Sequence, residues 1–135
     1  MMTELVFHFI RPATVTEVSQ EGSVEYRTTD EGMELQMLPN GDIRVRIEIN
    51  SLRHINLSNT FSEIKDKIRS SDHSINEYSV ALLLKSENPV SEYIQHETKI
   101  EKFSSALFNN PSPRYRELGE NRVKISFSQQ AQTTI

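Results

Sequence analysis

The chain has 135 residues, 36% of them hydrophobic and 25% charged, with 15 lysines and arginines against 19 aspartates and glutamates and no cysteine. One domain of this length can bury a real core without staples. The missing cysteines exclude disulfides, thiol catalysis and cysteine-ligated zinc, and a net charge of −4 disfavours nucleic acid, which wants clustered excess positive charge. No run approaches the roughly 20 apolar residues of a membrane span. The first ten residues lack the basic and apolar blocks of a signal peptide, so the expectation is a cytoplasmic protein with no membrane contact.

Leu5-Val6-Phe7-His8-Phe9-Ile10 is apolar on both faces and reads as a strand covered on both sides. Arg11-Pro12 stops it, because proline lacks the ladder donor and restrains its predecessor. His8, between two phenylalanines, is expected as a hydrogen-bonded core histidine.

Residues 13–50 read as a four-stranded meander: 13–19, 23–29, 33–38 and 43–50, with each connection ending on a glycine (Gly22, Gly32, Gly41). Glycine accepts the left-handed conformation that closes short hairpin loops. A three-residue loop Pro39-Asn40-Gly41 sets Met37 opposite Ile43, Leu35 opposite Val45 and Met33 opposite Ile47. A two-residue loop would face apolar residues with Arg44 and Arg46, and a one-residue slip moves a whole strand to the other face. A four-residue loop at 29–32 then puts Tyr26 beside Leu35, and a loop at 20–22 puts Val18 beside Val24. Alternation this regular belongs to a sheet covered on one side.

Thr60-Phe61-Ser62-Glu63 has the form of a capping box opening a helix over about 61–70, with Phe61, Ile64 and Ile68 on one stripe. The apolar run 77–85 fits either a second helix opened by Ser74-x-x-Glu77 or a buried strand, and its shortness and its end before Asn88-Pro89 favour the strand. Pro89 at a first turn leads one long helix through Phe108, stopped by Asn109-Asn110-Pro111-Ser112-Pro113. Val123, Ile125 and Phe127 alternate with Lys124 and Ser126 in a last strand, and residues 129–135 form a polar tail expected to fray. The fold class is α+β: one domain over 1–128, an antiparallel sheet of five to seven strands with two helices packed on its apolar face.

Catalytic constellations are scarce. The four glycines leave no nucleophile elbow, phosphate-cradling loop or dinucleotide fingerprint. His8, His54, His73 and His96 show no paired metal spacing, and Glu92 with His96 reads as a helix-surface pair, so neither metal nor cofactor is expected. Residues 1–59 hold nine acids against five bases, while 60–135 hold ten of each. The meander register sets Glu17 opposite Glu25 with Glu21 in the connecting loop, an acidic patch suited to a basic protein partner. Arg44, Arg46, Arg53 and His54 form a positive strip suited to an anion.

The leading expectation is a non-catalytic protein that binds and occludes a macromolecular partner, of the inhibitor, immunity or phage counter-defence type. It could form homo-oligomers by pairing the meander's last strand across a two-fold axis. The alternatives are a nucleotide- or phosphate-binding protein or weak phosphoester-acting enzyme using the arginine strip, and a structural subunit of a larger assembly.

Overall fold

Alternating apolar and polar side chains build an antiparallel sheet of seven strands among the described residues. The computed structural model describes residues 2–12, 25–28, 32–70 and 78–128. The strands are β1 (Thr3–Ile10), β2 (Glu25–Thr28), β3 (Met33–Met37), β4 (Ile43–Ile49), β5 (Ser79–Lys85), β6 (Arg114–Glu117) and β7 (Arg122–Ser126). Their order is β2-β3-β4-β1-β5-β7-β6, and every neighbouring pair is antiparallel. Three helices, α1 (Leu57–Arg69), α2 (Pro89–Gln95) and α3 (Glu97–Phe108), complete an α+β fold.

The core lies between the helices and one face of the sheet. Leu5, Phe7 and Phe9 project there from the central strand, beside Val45, Leu82, Leu84 and Ile125, all buried. From α1 come Leu57, Phe61, Ile64 and Ile68; from α3 come Ile100 and Phe103. All six phenylalanines of the chain join one cluster, with successive ring centroids 4.9–6.3 Å apart. Tilted and edge-on ring pairs of this kind add to the area they bury.

The turn at 39–41 has the expected register. Met33 pairs with Ile47, Leu35 with Val45 and Met37 with Ile43. Leu38 N donates to Asp42 O at 2.9 Å, and Gly41 has φ +93°. A side chain at Gly41 meets two obstacles: the left-handed backbone, and Arg11 Cδ only 2.6 Å from where a Cβ would sit. Gly41→Val should therefore cost about 1–2 kcal/mol, read as a shift in the urea midpoint at constant slope. A change under a few tenths would contradict the loop geometry.

Several elements differ from expectation. β2 is one residue out of register: Tyr26 pairs with Gln36 and Arg27 with Leu35. Gly32, just before β3, has φ +77°. Arg27 thus stands opposite Leu35 and not beside Glu34. The first meander strand, its loop and the Val18–Val24 pairing lie outside the described residues, as does the tail. β4 is no edge, since β1 pairs along its whole length, so it cannot join a second copy. Among the described residues β1 is covered on one face only; Val6, His8 and Ile10 on the other are half-buried.

The helix layer also departs from the expected pair. α1 begins a turn before the capping box, because Asn56 accepts from Asn59 N at 3.0 Å and the earlier start buries Leu57 as well. The long helix breaks at His96 (φ −114°, ψ 21°). Tyr93 stacks on Tyr115 of β6 at 5.0 Å, whereas Ile100 and Phe103 enter the phenylalanine cluster. These two anchors hold α2 and α3 in different settings, and Ile94 and Leu107 are exposed. β6, which the proline-rich stop hid, forms a hairpin with β7 through Leu118 N→Arg122 O at 3.0 Å.

Candidate functional site

With the helices on one face, the other face of the described sheet is open. Its residues follow from the register. One row across the strands reads Arg116, Lys124, Leu83, Val6, Arg46, Glu34; the next reads Leu118, Arg122, Lys85, Glu4, Glu48. A third runs Arg114, Ser126, Ala81, His8, Arg44, Gln36. Apart from the buried Ala81, these side chains are exposed or half-buried. Val6 and Leu83 sit side by side at the centre, an apolar spot inside a charged field.

On the β4 side Arg46 is paired, whereas the buried Nε of Arg44 has no hydrogen-bond partner. Glu4 and Glu48 are cross-strand neighbours, a like-charge pairing that costs stability. Arg46 resolves it by bridging both: its Nε lies 3.1 Å from Glu4 and its Nη2 bonds Glu48. Glu34 stands opposite Arg46 as expected, and the carboxylates around it, Glu4 first, raise the Arg46 pKa.

One end of this face is pinned by Asp42. Its carboxylate accepts from Arg11 N at 2.8 Å, Asn40 Nδ2 at 3.3 Å and His8 Nε2 at 3.2 Å. The reverse of the turn is held as well, Tyr78 donating its hydroxyl to Gly41 O at 3.1 Å. His8 is therefore hydrogen-bonded as expected, but on the open face and not in the core. Burial lowers its pKa first, then the adjacent Arg44, against an upward pull from Asp42. The folded protein thus holds fewer protons here than the unfolded chain, so stability rises with pH through this window. Unfolding midpoints should fall as pH drops below about 6.5, and His8→Gln should flatten that slope. An unchanged slope would show that His8 is not its source. No nucleophile accompanies this histidine–carboxylate pair in the hydrogen bonds of the described residues.

The positive strip divides. Arg44 and Arg46 stay on the open face, but the chain then turns through Leu52–His54, a short 3-10 helix docked on the helix layer. Glu92 accepts from Leu52 N at 3.0 Å and Lys99 Nζ donates to Leu52 O. That docking carries the exposed Arg53 and His54 off the end of the strand, and it engages Glu92, which is not paired through its side chain with His96. Burial lowers the Lys99 pKa. An open cleft of about 700 Å³ lies beyond, between the start of α1 and α3, lined by Leu57, His96, Lys99, Lys102 and Phe103 among others. Among the described residues no three histidines or acids converge as metal ligands, and no helix is long and apolar enough to cross a membrane. Glu17 and Glu21 lie outside the described residues. Glu25 lies in β2 opposite Met37, not opposite Gln36 as the expected register has it.

No protein-family model, curated protein or solved structure matches this chain.

One group on the open face has no counterpart among the expected sites. Arg116 is the cross-strand neighbour of Lys124, and Lys85 of Arg122. Each pairing sets like-charged side chains directly opposite, their Cβ atoms about 5 Å apart, at a cost of roughly 0.2–1 kcal/mol. Arg114 stands at the next open-face position of β6. Glu4, opposite Lys85 in register, turns to Arg46 instead. No ion pair engages these five cations among the described residues. The sequence carries a signal for them, cations at alternate positions in Arg114-Tyr115-Arg116 and Arg122-Val123-Lys124, but they become one patch only when β6 is paired with β7.

Proposed function

We propose that this protein is a non-catalytic binding domain that covers a macromolecular partner with the open face of its sheet. The observation that carries the reading is the asymmetry of the described sheet: helices on one side, and on the other a broad charged surface with Val6 and Leu83 at its centre. Rigid strands hold that surface, so association orders little of it. The excess of acids in residues 1–59 favours a basic partner, and charge complementarity raises the association rate. Action inside the cell as an inhibitor by steric occlusion belongs to the same reading.

Affinity capture from the native source tests it. The wild type should retain a macromolecule, Leu83→Arg should lose it while staying folded, and Lys102→Glu on the helix side should keep it. Failure to capture any macromolecule, together with a melting temperature raised by a nucleotide or phosphoester through mass action, would replace the proposal with a ligand-binding role.

A further inference from the structure

Resting on that reading, and adding a surface of opposite sign to the acidic one, we infer that β6 receives an extended acidic segment of another protein as an additional strand, with acids at alternate positions meeting Arg114 and Arg116.

Three observations converge. First, β6 ends the described order of the sheet. The bond Leu118 N→Arg122 O marks a hydrogen-bonded pair with β7. Such pairs alternate along an antiparallel ladder, so Arg114 and Arg116 direct their backbone groups to β7. Tyr115 and Glu117 turn their N–H and C=O outward, where a further strand would take them.

Second, the charge selects the strand. Arg114 and Arg116 lie two residues apart on the open face, about 7 Å, the spacing of alternate side chains on any strand laid alongside. Lys124, Arg122 and Lys85 extend the positive field behind them without an ion-pair partner among the described residues. A second copy of β6 fits badly: centred on Tyr115 it sets Arg114 against Arg116, and shifted by one pair it sets Arg116 against itself. Short, charged edges of this kind resist self-pairing, and the same charges welcome glutamate or aspartate. Residues 129–135 hold no acid and lack the charge for this role.

Third, the helix side of the edge has an unmet group. The Tyr115 hydroxyl is buried without a hydrogen-bond partner while its ring stacks on Tyr93. Burial, then Glu97 and Glu101, push its pKa up to about 12, so it remains a donor. Nucleic acid fits less well, because the patch belongs to an acidic protein.

The test uses the full chain and the labelled peptide (Glu-Thr)4, read by fluorescence anisotropy. (Glu-Pro)4 keeps the acids and removes the donors that would bond Tyr115 and Glu117. Binding of (Glu-Thr)4 should weaken at least about tenfold in Arg114→Glu/Arg116→Glu. It should weaken comparably in Glu117→Pro, which removes an outward N–H, leaves the ladder to β7 intact and reduces local negative charge. (Glu-Pro)4 should bind the wild type no better than those variants bind (Glu-Thr)4. Circular dichroism melts check that each variant folds. Equal binding of the two peptides, indifference to Glu117→Pro, or no binding overturns the inference. So does tighter binding of a 20-base-pair DNA duplex that ignores Glu117→Pro, or self-association of the wild type that Arg114→Glu/Arg116→Glu abolishes. A captured partner lost in Leu83→Arg, beside peptides that bind nowhere, would sink this inference and leave the open-face reading standing.

Discussion

Phe61→Ala should lower stability by about 3–5 kcal/mol, the range for truncating a buried phenylalanine. Phe61 is the hub of the aromatic cluster: its ring lies 5.8 Å from Phe7, 5.8 Å from Phe9, 5.6 Å from Phe103 and 5.5 Å from Phe108. It joins the central strand to both α1 and α3. Lys65, whose ammonium lies 5.1 Å from the ring centre, loses that contact too. Urea unfolding followed by circular dichroism measures the loss. A cost below about 1 kcal/mol would mean that the cluster collapses freely around the cavity, contrary to close packing.

Asp42→Ala should cost about 2–3 kcal/mol, because hydrogen bonds to a charged acceptor are worth more than neutral ones and their donors would be left without it. The carboxylate gathers Arg11 N, His8 and Asn40, tying the end of β1 to the turn after β3. Asp42→Asn should fall between Asp42→Ala and the wild type, since its remaining oxygen can still accept from Arg11 N. Unfolding midpoints of both variants at pH 7.5, above the ordinary histidine range, make the comparison. Equal stability of all three proteins would mean that water serves these donors as well as the carboxylate does.

Local chemistry makes parts of this fold legible in the sequence. Pro39-Asn40-Gly41 determines a register because only one loop length keeps Met33, Leu35 and Met37 opposite apolar partners. The run 77–85 reads as a strand from its length and its stop at Asn88-Pro89. Other features depend on tertiary context. Gly32 announces a turn but not its length, so the expected β2 lies one residue away from its actual register. The break at His96 has no proline or glycine to mark it and follows from where Tyr93 and Phe103 are anchored. Four residues of Arg-Tyr-Arg-Glu show no apolar alternation, and β6 becomes a strand through pairing with β7. The cationic patch is hidden for the same reason, being divided among β5, β6 and β7. The arginine strip is legible as composition, but docking of Leu52 sends Arg53 and His54 toward the helix layer while Arg46 is taken by Glu4 and Glu48.

Hydroxyl-radical footprinting, read residue by residue by mass spectrometry on the free protein and on its captured complex, tests the open face most directly. Binding should protect Val6, Leu83, Leu118 and Lys124, which share the open face, and leave Ile94 and Leu107 on the helix layer as reactive as before. Protection of Ile94 and Leu107 with Leu83 and Lys124 unchanged would contradict the account and move the binding surface to the helices.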